Sequence, residues 1–200
     1  WLICRTILSL AVARTRPCET EAMGSLLIVT GPPGSGKSTI SRLLADNMQR
    51  SVLVEGDLFF AFLAAGAIAP WLPESLDQNH VVGDAAAAAT KRFMADYDTI
   101  YDGVIGPWQL DRFVRALGTN EIDYAILLPS VDVCVERVGK RADHGFTDHS
   151  ATRHMHGQFA DAVQAGAVQE RHVIDSGAFD LAVLVGEIER HRSAGDLRLD

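Results

Sequence analysis

Residues 31–39 read Gly31-Pro32-Pro33-Gly34-Ser35-Gly36-Lys37-Ser38-Thr39. This run matches in full the Walker A pattern, two glycines separated by four residues and followed by Lys and then Ser or Thr. Each residue type in it has a physical task. Glycine tolerates positive φ, so successive backbone N–H groups can converge on one phosphate. Lys37 supplies a mobile ammonium for the β- and γ-phosphates, and the Ser38 hydroxyl suits a magnesium ligand. A helix starting near Lys37 adds the positive end of its dipole. The competing reading is an ordinary glycine-rich turn, yet a chance match in a chain of this length is on the order of one in a hundred. The nine residues are read as a loop that binds ATP or GTP.

Moving a phosphoryl group needs more than a cradle: an attacking oxygen must be positioned and metal charge must be held. Asp57, in Val54-Glu55-Gly56-Asp57, is placed to orient an acceptor hydroxyl or take its proton. It is equally suited to cap a following helix, and the two roles are compatible. Glu55 is the weaker candidate, since it can point to the opposite face. Asp102, in Asp102-Gly103, suits a magnesium-bound water, although Asp-Gly is also a common turn pair. Arg137 and Arg141 lie four apart and share a helical face, with Arg153 beyond a polar loop, while Lys140 can pair with Glu136. Two arginines beside a loop suit a lid that neutralises charge on a transferring group, the alternative being a solvated helix face. His144, His149, His154 and His156 match no standard zinc spacing and are not read as a metal site.

The elements that must position these residues alternate. Leu26–Thr30 is an apolar run entering the glycine-rich loop and reads as a buried parallel strand. Residues 38–49 carry Ile40, Leu43, Leu44 and Met48 at helical spacing. Further strands are expected at Ser51–Glu55, 99–101, Ile122–Leu128 and His172–Asp175. Helices are expected at 58–69, Leu76–Tyr97 with its alanine run, Leu110–Leu117, Val131–Arg141, Thr152–Gln164 and Phe179–Arg192. Alternation of this kind implies right-handed crossovers and a parallel sheet covered on both faces. Ligands of such sheets bind at the strands' carboxyl ends, where the loop, Asp57, Asp102 and Asp175 all fall.

Two hundred residues with a formal net charge of −8 fit one domain with no general attraction for nucleic acid or anionic lipid. Nucleic acid and membrane are therefore not expected as partners. Cys4, Cys18 and Cys134 form neither a CxxC pair nor a metal spacing, and a reducing cytoplasm is the expected location. The stretch from Trp1 to Ala13 is apolar but interrupted by Arg5, too short for a membrane span and a poor signal peptide. Met23 stands just before the first strand, so residues 1–22 are read as an upstream or disordered leader and 23–200 as the domain.

Together Gly31 to Thr39, Glu55-Gly56-Asp57, Asp102-Gly103 and the arginine helix resemble the P-loop kinases of the nucleoside-monophosphate-kinase-like group, over about residues 24–192. Within it the chain looks like the family of AAA-domain ATP-binding proteins that stands near chloramphenicol phosphotransferase, zeta toxin and gluconate kinase. The resemblance implies a three-layer α/β P-loop NTPase fold, a five-stranded parallel sheet of order 2-3-1-4-5 and a helical lid. It also implies that Asp57 activates the acceptor hydroxyl. Adenine would stack near the lid arginines and the exit of the fifth strand, about Asp175 to Gly177. One departure bears on substrate: after Asp102-Gly103 come Val104-Ile105-Gly106-Pro107-Trp108, with no arginine to clamp a nucleotide's phosphate.

Residues 58–90 should cover the acceptor, and they contain no lysine or arginine. A second phosphate is normally held by such cations, so the expected acceptor is neutral or cationic with some apolar surface. Phe60, Trp71 and Trp108 are candidate pocket walls, though most aromatics in such a stretch are core. The sequence thus predicts an ATP- and magnesium-dependent phosphotransferase acting on a hydroxyl of a small, non-phosphorylated molecule, as monomer or homodimer. The rivals are a nucleotide or nucleoside kinase, a regulatory ATPase acting on a protein partner, and a toxin-like kinase acting on sugar nucleotides.

Overall fold

In a computed structural model the described residues are 24–140, 146–177 and 180–200. The expected leader and Arg141 lie outside them. Five parallel strands, β1 (Leu26–Thr30), β2 (Ser51–Glu55), β3 (Asp98–Asp102), β4 (Ile122–Leu127) and β5 (Val173–Ile174), take the order β2-β3-β1-β4-β5. Alternation along β1 divides the core, because successive side chains point to opposite faces. Leu26 and Ile28 pack with α2 (Leu76–Met94), α3 (Pro107–Leu117) and Phe159 of α5 (His149–Gln164). Leu27 and Val29 pack with Ile40 and Leu44 of α1 (Lys37–Asp46) and with Leu184 and Ile188 of α6 (Leu181–Ala194). The remaining helix, α4 (Val131–Gly139), follows β4 and contacts α5. No helix among the described residues is long and apolar enough to cross a membrane.

The structure corrects several element expectations. Residues 58–69 do not form an α-helix. A 3-10 helix, Gly56–Phe62, ends with the Leu63 N–H on the Phe60 carbonyl, and irregular chain follows to Leu72. Gly66, at φ 72°, turns this segment, and the Gln78 side chain pairs with both the N–H and the carbonyl of Ile68. An amide side chain thus replaces the helical partners that the apolar composition suggested. Helix α3 starts earlier than expected, with Pro107 in its first turn, where a missing N–H costs nothing. Helix α5 starts at His149 because the Asp148 carboxylate accepts the Ala151 N–H as an N-cap. The C-terminal tail returns to the sheet, with an antiparallel bridge between Asp123 and Arg198. Buried Asp123 accepts from Arg192 at 3.0 Å and Arg198 at 3.1 Å.

Candidate active site

The loop joining β1 to α1 adopts the geometry its glycines permit. Gly34 has φ 82° and Gly36 φ 95°, both in the left-handed region that residues with a Cβ avoid. At Gly34 space forbids a side chain as well: a Cβ would lie 2.3 Å from the Cys134 carbonyl oxygen of α4. Lys37 opens α1 and is buried, whereas Ser38 and Thr39 are exposed. Thr30, the last residue of β1, accepts the Ile105 N–H on its Oγ1 at 2.9 Å, which fixes the chain leaving β3 against the loop.

Asp102 ends β3 beside this loop. Its carboxylate is buried and leaves Oδ1 without a partner. Burial pushes its pKa above the ordinary 3.8, opposed by the Lys37 ammonium and the Ser38 hydroxyl, while Asp57 and Glu55 push it further up. Three residues singled out from sequence, Lys37, Ser38 and Asp57, therefore lie within electrostatic reach of a fourth, Asp102, at the carboxyl end of the sheet. A buried carboxylate oxygen with no donor, beside a hydroxyl and other carboxylates, fits a hard divalent cation. The residues present fit magnesium, with Ser38 and Asp102 as the groups to hold it. Glu55 instead pairs with Arg42 at 2.6 Å.

Asp57 lies exposed in the first turn of the 3-10 helix after β2. Tyr101, expected from sequence only as a strand residue, reaches the glycines next to both aspartates. The β2–β3 register places Val54 opposite Tyr101 and Glu55 opposite Asp102. A Cβ on Gly56 would lie 2.3 Å from the Tyr101 Oη, and one on Gly103 2.8 Å from its ring. The ring thus occupies the space left by two glycines, one adjoining each aspartate, and packs against Phe113 with centroids 4.8 Å apart. Burial, then Asp57, then Asp102 hold its phenol protonated far above the ordinary range, so it is a neutral donor. The signal for Tyr101 lay in those glycines, since glycine at a strand end marks close approach.

Arg137 does not stand free beside the phosphate site. Its Nη2 donates to the Ser176 carbonyl at 2.9 Å and, at 3.4 Å, to that of Gly177. Its Nη1 donates to the Gly34 and Ser35 carbonyls, each at 3.5 Å. The guanidinium thereby joins the glycine-rich loop to the exit of β5, and the Ser176 hydroxyl reinforces the join by donating to the Ser35 carbonyl at 2.6 Å. Beside it opens a cavity of about 340 Å³ lined by Gly36, Thr39, Arg137, Ser176 and Leu181 among others. Arg153 makes an exposed pair with Asp132 at 3.5 Å.

The three aromatic candidates are dispersed. Phe60 is partly buried in the 3-10 helix. Trp71 is half exposed and edge-on to Phe146 at 5.0 Å, and Trp108 lies over Gly106, edge-on to Phe159 at 5.0 Å. None of the three lines the notch between α2 and α3, which is formed instead by Asn79, Asp84, Ile105 and Arg112 with their neighbours. Arg112 was missed because it lies beyond the 58–90 window in which a cation was sought.

Fold and site together define a P-loop NTPase-fold protein whose glycine-rich loop, Asp57 and Asp102 lie at the carboxyl end of the sheet. Residues 26–165 match the family described as AAA domain, and the chain belongs to it. Three solved structures share the fold. A shikimate kinase from Acinetobacter baumannii in complex with shikimate has 18% identity and a TM-score of 0.61, with 89% of this chain and 97% of that one covered. A gluconokinase from Sinorhizobium meliloti 1021 has 19% identity and a TM-score of 0.57, with coverages of 86% and 93%. A chain of the Pnkp1/Rnl/Hen1 RNA repair complex has 22% identity and a TM-score of 0.57 over 76% of this chain, which spans about half of that protein at 49%.

Proposed function

We propose that this protein is an ATP- and magnesium-dependent phosphotransferase that moves the γ-phosphate to a hydroxyl of a small, non-phosphorylated molecule. The observation that carries the reading is the convergence of Lys37, Ser38 and the partnerless Oδ1 of Asp102 beside Asp57. Neighbours named as small-molecule kinases, a shikimate kinase and a gluconokinase, support it.

In this reading backbone N–H groups between Gly34 and Thr39 and the Lys37 ammonium hold the triphosphate, where they meet the negative charge of the transferring group. Magnesium, when bound by Ser38 and Asp102, neutralises charge on the phosphate oxygens. Arg137 braces the loop against the β5 exit and forms one wall of the cavity that takes the nucleoside. Asp57 accepts a hydrogen bond from the acceptor O–H, aligns its oxygen with the γ-phosphorus and receives the proton. The new O–P bond forms as the bond to the β-phosphate oxygen breaks, the electron pair leaving with ADP. Tyr101 keeps the turns bearing Asp57 and Asp102 apart.

The test is ADP formation by the whole chain with a panel of hydroxyl acceptors, nucleoside monophosphates and a 5′-hydroxyl oligonucleotide. The reading expects acceptor-dependent turnover with a non-phosphorylated small molecule and its loss, by on the order of a hundredfold or more, in Lys37→Ala. Turnover only with nucleoside monophosphates would favour a nucleotide kinase. Turnover only with the oligonucleotide would assign a nucleic-acid substrate, and hydrolysis indifferent to every acceptor would favour a regulatory ATPase.

A further inference from the structure

The notch between α2 and α3 measures about 30 Å³, room for roughly one hydroxyl- or water-sized group. Ile105 lines it, and the Ile105 N–H bond to Thr30 ties it to the residue that enters the phosphate loop. Asp84 and Arg112 face each other there through two parallel hydrogen bonds, Nε to Oδ1 at 3.1 Å and Nη2 to Oδ2 at 2.6 Å. Both side chains are about half exposed, so the pair remains within reach of a ligand. Asn79 lines the same notch. Its amide N–H groups donate to the Pro70 carbonyl at 2.7 Å and to the Ser75 Oγ at 2.9 Å, which fixes its orientation. Its Oδ1 is left buried without a partner. Gln109 adds an amide that both donates and accepts, and His80, Gly83 and Phe113 complete the lining.

These groups decide the charge of what they take. One guanidinium and one carboxylate cancel inside the notch, and their fork geometry is already satisfied. A carboxylate or phosphate entering would meet Asp84, and an ammonium would meet Arg112. A neutral hydroxyl meets neither obstacle, because it donates to a carboxylate or amide oxygen of the lining and accepts from a guanidinium or amide N–H. The geometry points to a hydroxyl-reading subsite for a neutral polyhydroxylated acceptor, in which the Asp84–Arg112 pair excludes the acidic and amino counterparts of that acceptor. This assignment rests on the phosphotransferase reading and adds the acceptor class to it.

The experiment uses the whole chain with ATP, magnesium and matched triads of acceptors: neutral sugars or polyols, the corresponding sugar acids and the corresponding amino sugars. ADP formation is read in parallel with thermal shifts in a non-hydrolysable ATP analogue. The neutral member is expected to exceed both counterparts at least tenfold in kcat/KM. Asp84→Asn leaves the guanidinium uncompensated and should shift the acid-to-neutral ratio at least tenfold toward the acid. Arg112→Gln leaves the carboxylate uncompensated and should shift the amine-to-neutral ratio at least tenfold toward the amine. Both changes should appear mainly in the acceptor KM, with the KM for ATP unchanged. Gln109→Ala should raise the KM for the neutral acceptor severalfold, and no change there would overturn the amide's part in the subsite. A preference for acids by the unaltered protein overturns the assignment. So does a parallel loss of all three classes in both variants, or silence from every triad while ATP still binds. Failure of the unaltered protein to bind ATP at all would instead sink the phosphotransferase reading.

Discussion

Gly56→Ala tests whether Tyr101 spaces the two aspartates. The new Cβ would lie 2.3 Å from the Tyr101 Oη and 2.8 Å from Cζ, where real Cβ contacts essentially never come under 3.0 Å, and 3.3 Å from the Asp102 carbonyl oxygen. Tyr101 is only 3% exposed and already rests on Phe113, so the ring has little room to retreat. The turn carrying Asp57 must shift by roughly 1 Å, and overpacking of this kind costs about 1–3 kcal/mol. Gly56 does not have positive φ, so backbone preference alone would make alanine stabilising by about 0.4–1 kcal/mol. The two effects have opposite signs, and the clash is the larger. Thermal denaturation should fall by about 3–6 °C for a domain of this size, and kcat/KM should fall by up to about a hundredfold as the carboxylates lose alignment. Tyr101→Phe removes the Oη, the atom of closest approach, so the double variant should recover part of both losses, with a coupling energy of about 0.5–3 kcal/mol. Stability at or above that of the unaltered protein in Gly56→Ala, or strictly additive effects in the double variant, would refute the reasoning.

Further outcomes follow from other parts of the site and fold. Asp102→Asn removes a buried charge with a partnerless oxygen, so the nucleotide-free protein should melt at a higher temperature while magnesium-dependent ATP binding falls at least about tenfold, read by calorimetry. Arg137→Lys should weaken ATP binding by about tenfold or more and lower the melting temperature, because a point charge cannot serve the carbonyls on both sides of the join. His172 is buried, which lowers its pKa below the ordinary 6.5 against the opposing pull of its hydrogen bond to the Tyr124 carbonyl. The unfolded chain therefore binds the proton first as pH falls below about 6.5, and stability present above that pH should be lost toward the lower folded pKa. His172→Gln should flatten that part of a denaturation-versus-pH profile.

What the sequence made legible follows the range of the interactions involved. Strand β1, the glycine-rich loop and α1 are specified within about twenty consecutive residues and follow one another as expected, although α1 ends at Asp46 and not near residue 49. Asp57 and Asp102 were legible because each sits beside a glycine at a strand end. The sheet order required resemblance, since nothing in strand composition says that β3 inserts between β1 and β2. Residues 58–69 were misread because their apolar content carries no spacing that separates helix from irregular chain, and the deciding partner, Gln78, lies ten residues beyond Ile68. Arg112 acquires its significance from Asp84, 28 residues earlier and on another helix. The partners of Asp123 come from the far C-terminus, Arg192 and Arg198. Arg137 was legible as a basic residue near the phosphate loop, but its four carbonyl partners belong to two loops that approach only after the sheet is assembled.

Transfer of labelled γ-phosphate from ATP, followed to both acceptor and water in the unaltered protein and in Asp57→Asn, bears most directly on the whole account. Label should pass to a neutral hydroxyl compound only when magnesium is present, and the variant should lose about a hundredfold or more of that transfer while still binding ATP. Label released only to water at the same rate with and without any acceptor, unchanged in Asp57→Asn, would contradict it.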